Sequence, residues 1–304
     1  MPVRAALVAL SLLVAPGCSS DEVAVVELPS RPGLAVAEAA GDVAATARRL
    51  DAALAEADGV GVVAEVDHAR NARSVSLGLR PTRVRIFGNP AVGTPLMQAN
   101  ILAGLDLPQK VLVFEDEDGR TLVAYNTPEY LAARYGIAGT PALTTLAGAL
   151  EAFAQAAAGS GTQPTPAAGV EVGEGIVTVA SDAPVGETYS RLRGALVSNR
   201  DIRIVAEVDH QFNASSVGQT LRPSRLIVFG NPRLGTPLMQ ASQTAAIDLP
   251  QSVLVYQDAA GQTQIAYEDP GYIAERHGVP ASLEQIEQIR TALGRFARDA
   301  ASEF

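Results

Sequence analysis

The stretch VAEVDHARNARSVSLGLRPTRVRIFGNPAVGTPLMQA, residues 63–99, returns as VAEVDHQFNASSVGQTLRPSRLIVFGNPRLGTPLMQA at residues 205–241. The copies align without a gap at an offset of 142, with 25 of 37 positions identical. The same offset links the DLP at Asp106 and Asp248, the AY at Tyr125 and Tyr267, and Gly136 with Gly278. Solenoid units run at roughly 20 to 50 residues, so a spacing this long reads as duplication of a whole domain. The fold to be explained is one module of about 120 residues, used twice.

Outside the repeat, the first residues read as an address. Arg4 gives a positive start, Ala5 to Ala15 an apolar run, and Ala15-Pro16-Gly17-Cys18 a small-residue cleavage site. The run is shorter than the ~20 residues a spanning helix needs. It resembles a bacterial lipoprotein signal, which implies cleavage before Cys18 and lipidation of its thiol. Ala15 and Pro16 depart from the commonest form of that motif, and an ordinary secretory signal is the competing reading. Ser19 after the cysteine implies the outer membrane where the host has one. The chain is thus expected to be exported, lipid-anchored in the cell envelope and periplasm-facing, touching the membrane through the anchor alone. Cys18 is the only cysteine, which excludes a disulfide within the chain.

The expected organisation is a signal at 1–17, a tether at 18–32, a first domain at 33–155, a linker at 156–172 and a second domain at 173–304. The linker's AAAGSGTQPTPAAG composition reads as flexible, leaving the halves free to move independently. An apolar fraction of 47% supplies two globular cores. The formal charge of −10 repels phosphate backbones, and no basic cluster interrupts it, so nucleic acid is excluded as a partner class.

Within each module strand and helix patterns alternate. Leu34 to Ala39 and Ile176 to Ala180 read as first strands. Helices follow with Val43, Ala47, Leu50 and Leu54 on one face, matched by Val185, Tyr189, Leu192 and Leu196. Strands are expected at 61–66 and 83–87, then as a hairpin at 111–114 and 121–125 around an acidic turn, with counterparts in the second copy. Pro128 to Tyr135 reads as a short helix stopped by Gly136. Thr140-Pro141 is expected to open a last helix, and Ser282 with Gln285 to form a capping box for its counterpart. The sum is α+β: two copies of an antiparallel-rich sheet with helices on one face.

VAEVDH with Asn71, LRPTR, IFGNP, GTPLMQAN, LDLP, the acidic hairpin and AYNTPEYLAARYGI together resemble the domain of unknown function 302 family. The likeness covers nearly all of both modules. It implies a β-α-β4-α domain whose single-domain members pair as dimers, and hence intramolecular pairing of the two repeats here; it implies no established activity. Function must be argued from the site.

The rare residue types concentrate where the copies agree. Beyond the initiator the only methionines are Met97 and Met239, and two of the three histidines are His68 and His210. His277 alone lacks a counterpart, standing opposite Tyr135. The first candidate site is the GNP/GTPLMQ loop: Asn89, Thr94, Met97 and Gln98, with Asn231, Thr236, Met239 and Gln240. Gly-Asn-Pro allows a sharp turn, and Thr94 followed by Pro95 has the form of an N-cap and first helical residue. A helix from Pro95 would aim free N–H groups at an anion or carbonyl. The competing reading is that Asn89 and Thr94 merely turn and cap the chain while Met97 fills core.

The second candidate is His68 with Asn71, and His210 with Asn213. Adjacent residues of a continued strand face opposite ways, so Asp67 is not expected to orient His68 as in a catalytic pair. His68 serves instead as a proton carrier or ligand donor, or simply bonds loop backbone. Combined with Met97 it gives a His/Met pair acceptable to copper(I), with His210 and Met239 as its counterpart, but no second His, Cys or Met-rich cluster supports a metal. Asp106 and Asp248 offer an acid or a base, but Asp-Leu-Pro before an apolar strand reads more readily as a turn. Nucleophile elbow, HExxH, P-loop and dinucleotide fingerprints are absent, no cofactor is implied, and catalysis is disfavoured. The leading expectation is a binding module for a small molecule or an envelope protein, the alternatives being a structural pseudo-dimer and a His-dependent or metal-binding enzyme. Arg70 and Arg73 stand where the second copy has Phe212 and Ser215, so two sites could differ in specificity.

Overall fold

The computed structural model describes residues 27–302. Cys18 and the signal-like segment lie outside the described residues.

The first module runs β1 (Leu34–Ala39), α1 (Val43–Glu56), β2 (Gly61–Asp67), α2 (His68–Arg73), β3 (Thr82–Gly88), α3 (Pro90–Ala99), a 3-10 segment (Ile101–Leu105), β4 (Gln109–Glu115), β5 (Thr121–Asn126), α4 (Pro128–Tyr135) and α5 (Ala142–Ala158). A two-residue strand, β6 (Gln163–Pro164), leads to the second module: β7 (Ile176–Ser181), α6 (Val185–Ser198), β8 (Arg203–Asp209), α7 (His210–Ser216), β9 (Ser224–Gly230), α8 (Pro232–Ala241), a 3-10 segment (Gln243–Ile247), β10 (Gln251–Gln257), β11 (Thr263–Glu268), α9 (Pro270–His277) and α10 (Glu284–Ala301). The sheets are antiparallel with orders β2-β3-β4-β5-β1-β6 and β7-β11-β10-β9-β8. The class is the expected α+β, with short helices inserted among the four later strands.

The amphipathic spacing in α1 buries Val43, Ala47, Leu50 and Leu54. Helices α1 and α5 pack together and on the sheet, with Phe153 meeting Phe87 edge to face at 5.3 Å; Phe296 and Phe229 repeat this at 6.3 Å. Gly136 and Gly278 end α4 and α9 in the left-handed conformation, as the sequence predicts. Two expected helix starts shift. Helix α5 begins at Ala142, after Pro141, and α10 at Glu284 behind Leu283, without the Ser282 capping box.

The expected linker is corrected in the same way. Helix α5 continues to Ala158, and the chain beyond it is bonded onto the first module: Thr165 N donates to Leu34 O at 2.8 Å, Gly33 N to Pro166 O at 3.2 Å, and Gly173 N to Arg134 O at 2.8 Å. Composition reads this segment as flexible, but the open edge of β1 satisfies its backbone, and the halves do not swing freely.

The modules face each other about a pseudo-twofold axis. Each 3-10 segment lies against the other module's sheet, Gln243–Ile247 on β3, β4 and β5 and Ile101–Leu105 on β9, β10 and β11. At the axis the Tyr130 and Tyr272 hydroxyls sit 3.1 Å apart. Gly33 and Gly175, both at positive φ, lie beneath these rings, where an added Cβ would collide with Tyr130 or Tyr272.

Around the axis lies a buried charged network. Arg134 bonds Asp106 of its own module at 3.3 Å and Glu268 of the other at 2.5 Å. Arg276 repeats this with Asp248 at 2.8 Å and Asn126 at 2.8 Å. Tyr135 donates to Asp106 at 2.6 Å where His277 Nε2 meets Asp248 at 2.8 Å. Each guanidinium lies over the opposite module's tyrosine, Arg276 at 3.8 Å from the Tyr130 ring centre and Arg134 at 4.6 Å from that of Tyr272. Burial alone would raise Asp248, but Arg276 and the hydrogen bond with His277 hold its carboxyl well below the usual range.

Removing Arg276 leaves the buried Asp248 without its cation, with only the His277 ring and the Asn126 amide against it. Arg276→Met should therefore cost about 3–5 kcal/mol, measured as the change in urea midpoint at constant slope. A loss below about 1 kcal/mol would place the network outside the stabilising contacts.

Candidate functional site

The structure brings the candidate residues together across the modules. His68 and Asn71 line a cavity of about 130 Å³ whose remaining wall is from the second module, including Asn231, Thr236 and Met239. His210 and Asn213 line a second cavity, about 660 Å³, completed by Asn89, Thr94 and Met97 of the first module. The expected pairing of His68 with Met97 inside one module is therefore corrected: His68 shares its cavity with Met239, and His210 with Met97. Among the described residues no cluster of three or more His, Cys, Asp or Glu could hold a metal ion.

The histidine placement follows from strand ends. Asp67 and Asp209 stop β2 and β8 by capping the next helix, their carboxylates accepting from Arg70 N at 2.8 Å and Phe212 N at 2.9 Å. The first residue of each short helix is the histidine, and α2 packs against α8 while α3 packs against α7.

The GNP loop differs from expectation. Asn89, not Thr94, caps α3: its Oδ1 accepts from Ala91 N at 2.9 Å, and Asn231 does the same for Arg233 N. Val92 N and Gly93 N donate to Asn89 O, so the first-turn donors are occupied and the expected anion cradle at Pro95 does not form. Asn-Pro is itself a complete cap and first residue, and it outcompetes Thr-Pro one turn later. Pro95 inside α3 offers no N–H to Ala91 O, which accepts instead from Gln219 Nε2 of the other module at 3.2 Å. Gln98 and Gln240 leave the cavities and staple the modules, donating to Thr220 O at 2.8 Å and Gly78 O at 2.6 Å.

Both histidines are held neutral. Burial lowers each from an ordinary 6.5 to about 4, overriding backbone hydrogen bonds at Leu249 for His68 and Gly104 for His210. Asp67 and Asp209 beside them pull the other way, while Lys110 reinforces the depression at His68. The buried Nε2 of each ring has no hydrogen-bond partner among the described residues. In the His68 cavity Thr236 Oγ1 and both side-chain polar atoms of Gln251 are likewise buried and unpartnered. Its apolar wall includes Phe229, Leu249, Leu293 and Phe296. Sequence reasoning missed Gln251 and Gln109, although DLPQ recurs at 106–109 and 248–251, and it missed Arg134, Arg276, Tyr130 and Tyr272.

Fold and site define a class: a pseudo-symmetric α+β pair in which each half completes the other's cavity. The family described as Domain of unknown function DUF302 matches residues 35–155 and 177–296, and the chain belongs to it. Among curated proteins, Fluoride-specific ion channel FluC 1 of Brucella suis is 35% identical over 133 residues, covering 43% of this chain and 52% of that protein. Fluoride-specific ion channel FluC 2 of Brucella melitensis matches equally, over 49% of its length. This chain thus spans about half the length of those relatives. No helix among the described residues is long and apolar enough to cross a membrane. An uncharacterized conserved DUF302 protein from Bacillus stearothermophilus matches 42% of this chain and 98% of its own, at 20% identity and a TM-score of 0.38.

The depressed histidines fix a pH dependence. Between about 6.5 and 4 the unfolded chain binds protons that the folded chain refuses, so stability falls as pH falls through that window, by about 1.4 kcal/mol per pH unit per histidine. Glu268, raised to about 7 by burial against Arg134, with Asp248 and Asp106 adding to the rise, has the opposite sign and loses stability as pH rises. His68→Gln with His210→Gln should therefore flatten the acid side of the stability profile, measured by urea unfolding at pH 7, 6 and 5; an unchanged slope would remove burial as the cause.

Proposed function

We propose that the chain is a non-catalytic binding protein, anchored in the cell envelope by a lipid on Cys18, whose two interface cavities each receive a small molecule. The observation that carries this reading is the set of buried, unpartnered polar atoms on His68, Thr236 and Gln251 among the residues of a cavity whose wall is mostly apolar. A buried polar group without a partner costs about 1–3 kcal/mol. Retaining several on one wall is unfavourable for the free protein and is offset when a ligand hydrogen-bonds them. Pockets of this kind, apolar with a few convergent polar groups, are the usual form of small-molecule sites. The anchor and envelope location rest on the signal-like run and Cys18.

The structural reading is favoured by a different observation, the Gln98 and Gln240 staples with the tyrosine pair on the axis. Those contacts explain the end of the GTPLMQ motif but give His68, Thr236 and Gln251 no partner.

Two measurements separate the readings. Native mass spectrometry of the chain from Ser19 onward, isolated from its host's envelope, should show an adduct of one or two small molecules per chain that His68→Gln with His210→Gln removes; a clean mass in every preparation supports the structural reading instead. Thr236→Val, which deletes an unsatisfied buried hydroxyl at nearly constant volume, should leave the free protein as stable or about 1 kcal/mol more stable while reducing adduct recovery. A loss of more than about 1 kcal/mol in urea unfolding would assign that hydroxyl to the fold.

A further inference from the structure

We propose that the two cavities take uncharged amphiphilic molecules, an apolar body with an alcohol or amide head, and sort them by size, with Gly61 and its counterpart Arg203 setting the difference. This rests on the binding reading above and deepens it.

The absence of charge in the ligand follows from the walls. Among the described residues, and apart from the histidine, the only ionisable side chain lining the smaller cavity is Arg203, and the only one lining the larger is Asp58. Both are exposed, at the rim. An ion drawn past them would lose its hydration to Phe, Leu, Met and neutral polar groups, a cost of several kcal/mol that charges at the rim or behind the wall, Arg203, Asp58, Lys110, Asp67 and Asp209, offset only in part. Neutral imidazole, hydroxyl and carboxamide groups suit a head that both donates and accepts, as an alcohol or primary amide does.

The size difference follows from aligned positions. The sets correspond in position, His68 with His210, Asn71 with Asn213, Thr236 with Thr94, Met239 with Met97, and Gln251 with Gln109, although Gln109 Nε2 already donates to Asp106 O at 2.8 Å where Gln251 is unpartnered. At the end of the preceding helix and the first position of the strand, however, Ala57 and Gly61 stand where the second module has Asn199 and Arg203. The bulkier pair lines the cavity of about 130 Å³ and the smaller pair that of about 660 Å³. An apolar cavity of about 150 Å³ accepts a benzene-sized body, whereas sites of about 300–1,000 Å³ hold drug-sized ligands. A Cβ added at Gly61 meets nothing within 4 Å, so a side chain can be introduced there without displacing the strand.

The test uses the full chain labelled with ¹⁵N-histidine, whose three histidines are assigned from His68→Gln and His210→Gln, with benzyl alcohol, n-decanol and benzoate as probes. Benzyl alcohol should move the ring resonances of both His68 and His210, and n-decanol those of His210 with an affinity about tenfold or more above any at His68, since excluding two methylenes of about 0.8 kcal/mol each suffices for that ratio. Gly61→Arg should abolish the n-decanol response at His210 and keep the benzyl alcohol response, while Arg203→Gly should confer an n-decanol response on His68. Equal n-decanol responses at both histidines, or a Gly61→Arg chain that behaves as the parent, would overturn the size assignment. A benzoate response as strong as that to benzyl alcohol would overturn the uncharged class. If no probe moves either histidine, the inference is overturned, whereas the binding reading itself falls only if native mass spectrometry also shows a clean mass in every preparation. His277, bonded to Asp248 and Thr244 away from both cavities, should stay fixed throughout.

Discussion

Two aspartates buried beside the pseudo-twofold axis govern how this chain is assembled. A carboxylate buried at the position of Asp106 or Asp248 costs several kcal/mol unless it is paired, and the paired cation is an arginine from the helix after β5 or β11. Each arginine then turns further donors to the other half of the chain: Arg276 to Asn126 and Pro32 O, Arg134 to Glu268 and Glu174 O. A charge that is satisfied only by both halves turns two domains into one object. Cation–π stacking on the opposite tyrosine adds direction, because the guanidinium plane and the ring fix each other's orientation. The GNP loops and histidine helices sit farther out, and their juxtaposition into cavities depends on this central registration.

Duplication within one chain allowed the halves to differ where an exact dimer would have to be uniform. Glu268 stands opposite the symmetry position of Asn126, and His277 opposite that of Tyr135. Two copies of the second module would bury two glutamates beside two arginines and two aspartates. The tandem chain buries one, and even that carboxyl is pushed up to about 7 by burial, with Asp248 and Asp106 adding to the rise against the pull of Arg134. Asn126 supplies both an acceptor for Arg276 and a donor to Asp248 at 3.1 Å, a neutral solution to the same geometric demand.

Strand and helix positions were legible because amphipathic spacing and turn chemistry are local. Val43, Ala47, Leu50 and Leu54 mark α1 at sight, and Gly136 ends α4 where only a left-handed residue fits. The cap of α3 was misplaced because both Asn-Pro and Thr-Pro satisfy the same local rule, and only the tertiary position of the turn decides between them. The linker was misread for a related cause: small residues and proline describe what a segment is able to do when free, while its hydrogen bonds to β1 are contributed from elsewhere. Half of the candidate site was visible, since His68, Asn71, Thr236 and Met239 stood out as repeated rare residues. That His68 belongs with the other copy's Met239 was not visible, because two identical motifs at one offset carry no information about which copy meets which. Asp106 looked like a turn residue for the same reason; its value comes from Arg134 and Tyr135, 28 and 29 residues away.

Under the binding reading proposed above, the crossed construction couples binding to assembly. Each cavity has its histidine wall on one module and its loop wall on the other, so a molecule that satisfies His68 and Thr236 together contacts only the paired arrangement, and binding to that state alone stabilises it by mass action. The two cavities share the same axis, so whatever tightens one registration tightens the other. The aspartate–arginine network supplies a rigid centre, and the polar atoms left unmatched in the cavity wall are a local deficit that this centre can carry. A structure held only by its cavities could not sustain such a deficit; one held at its axis can keep the walls poised for a partner.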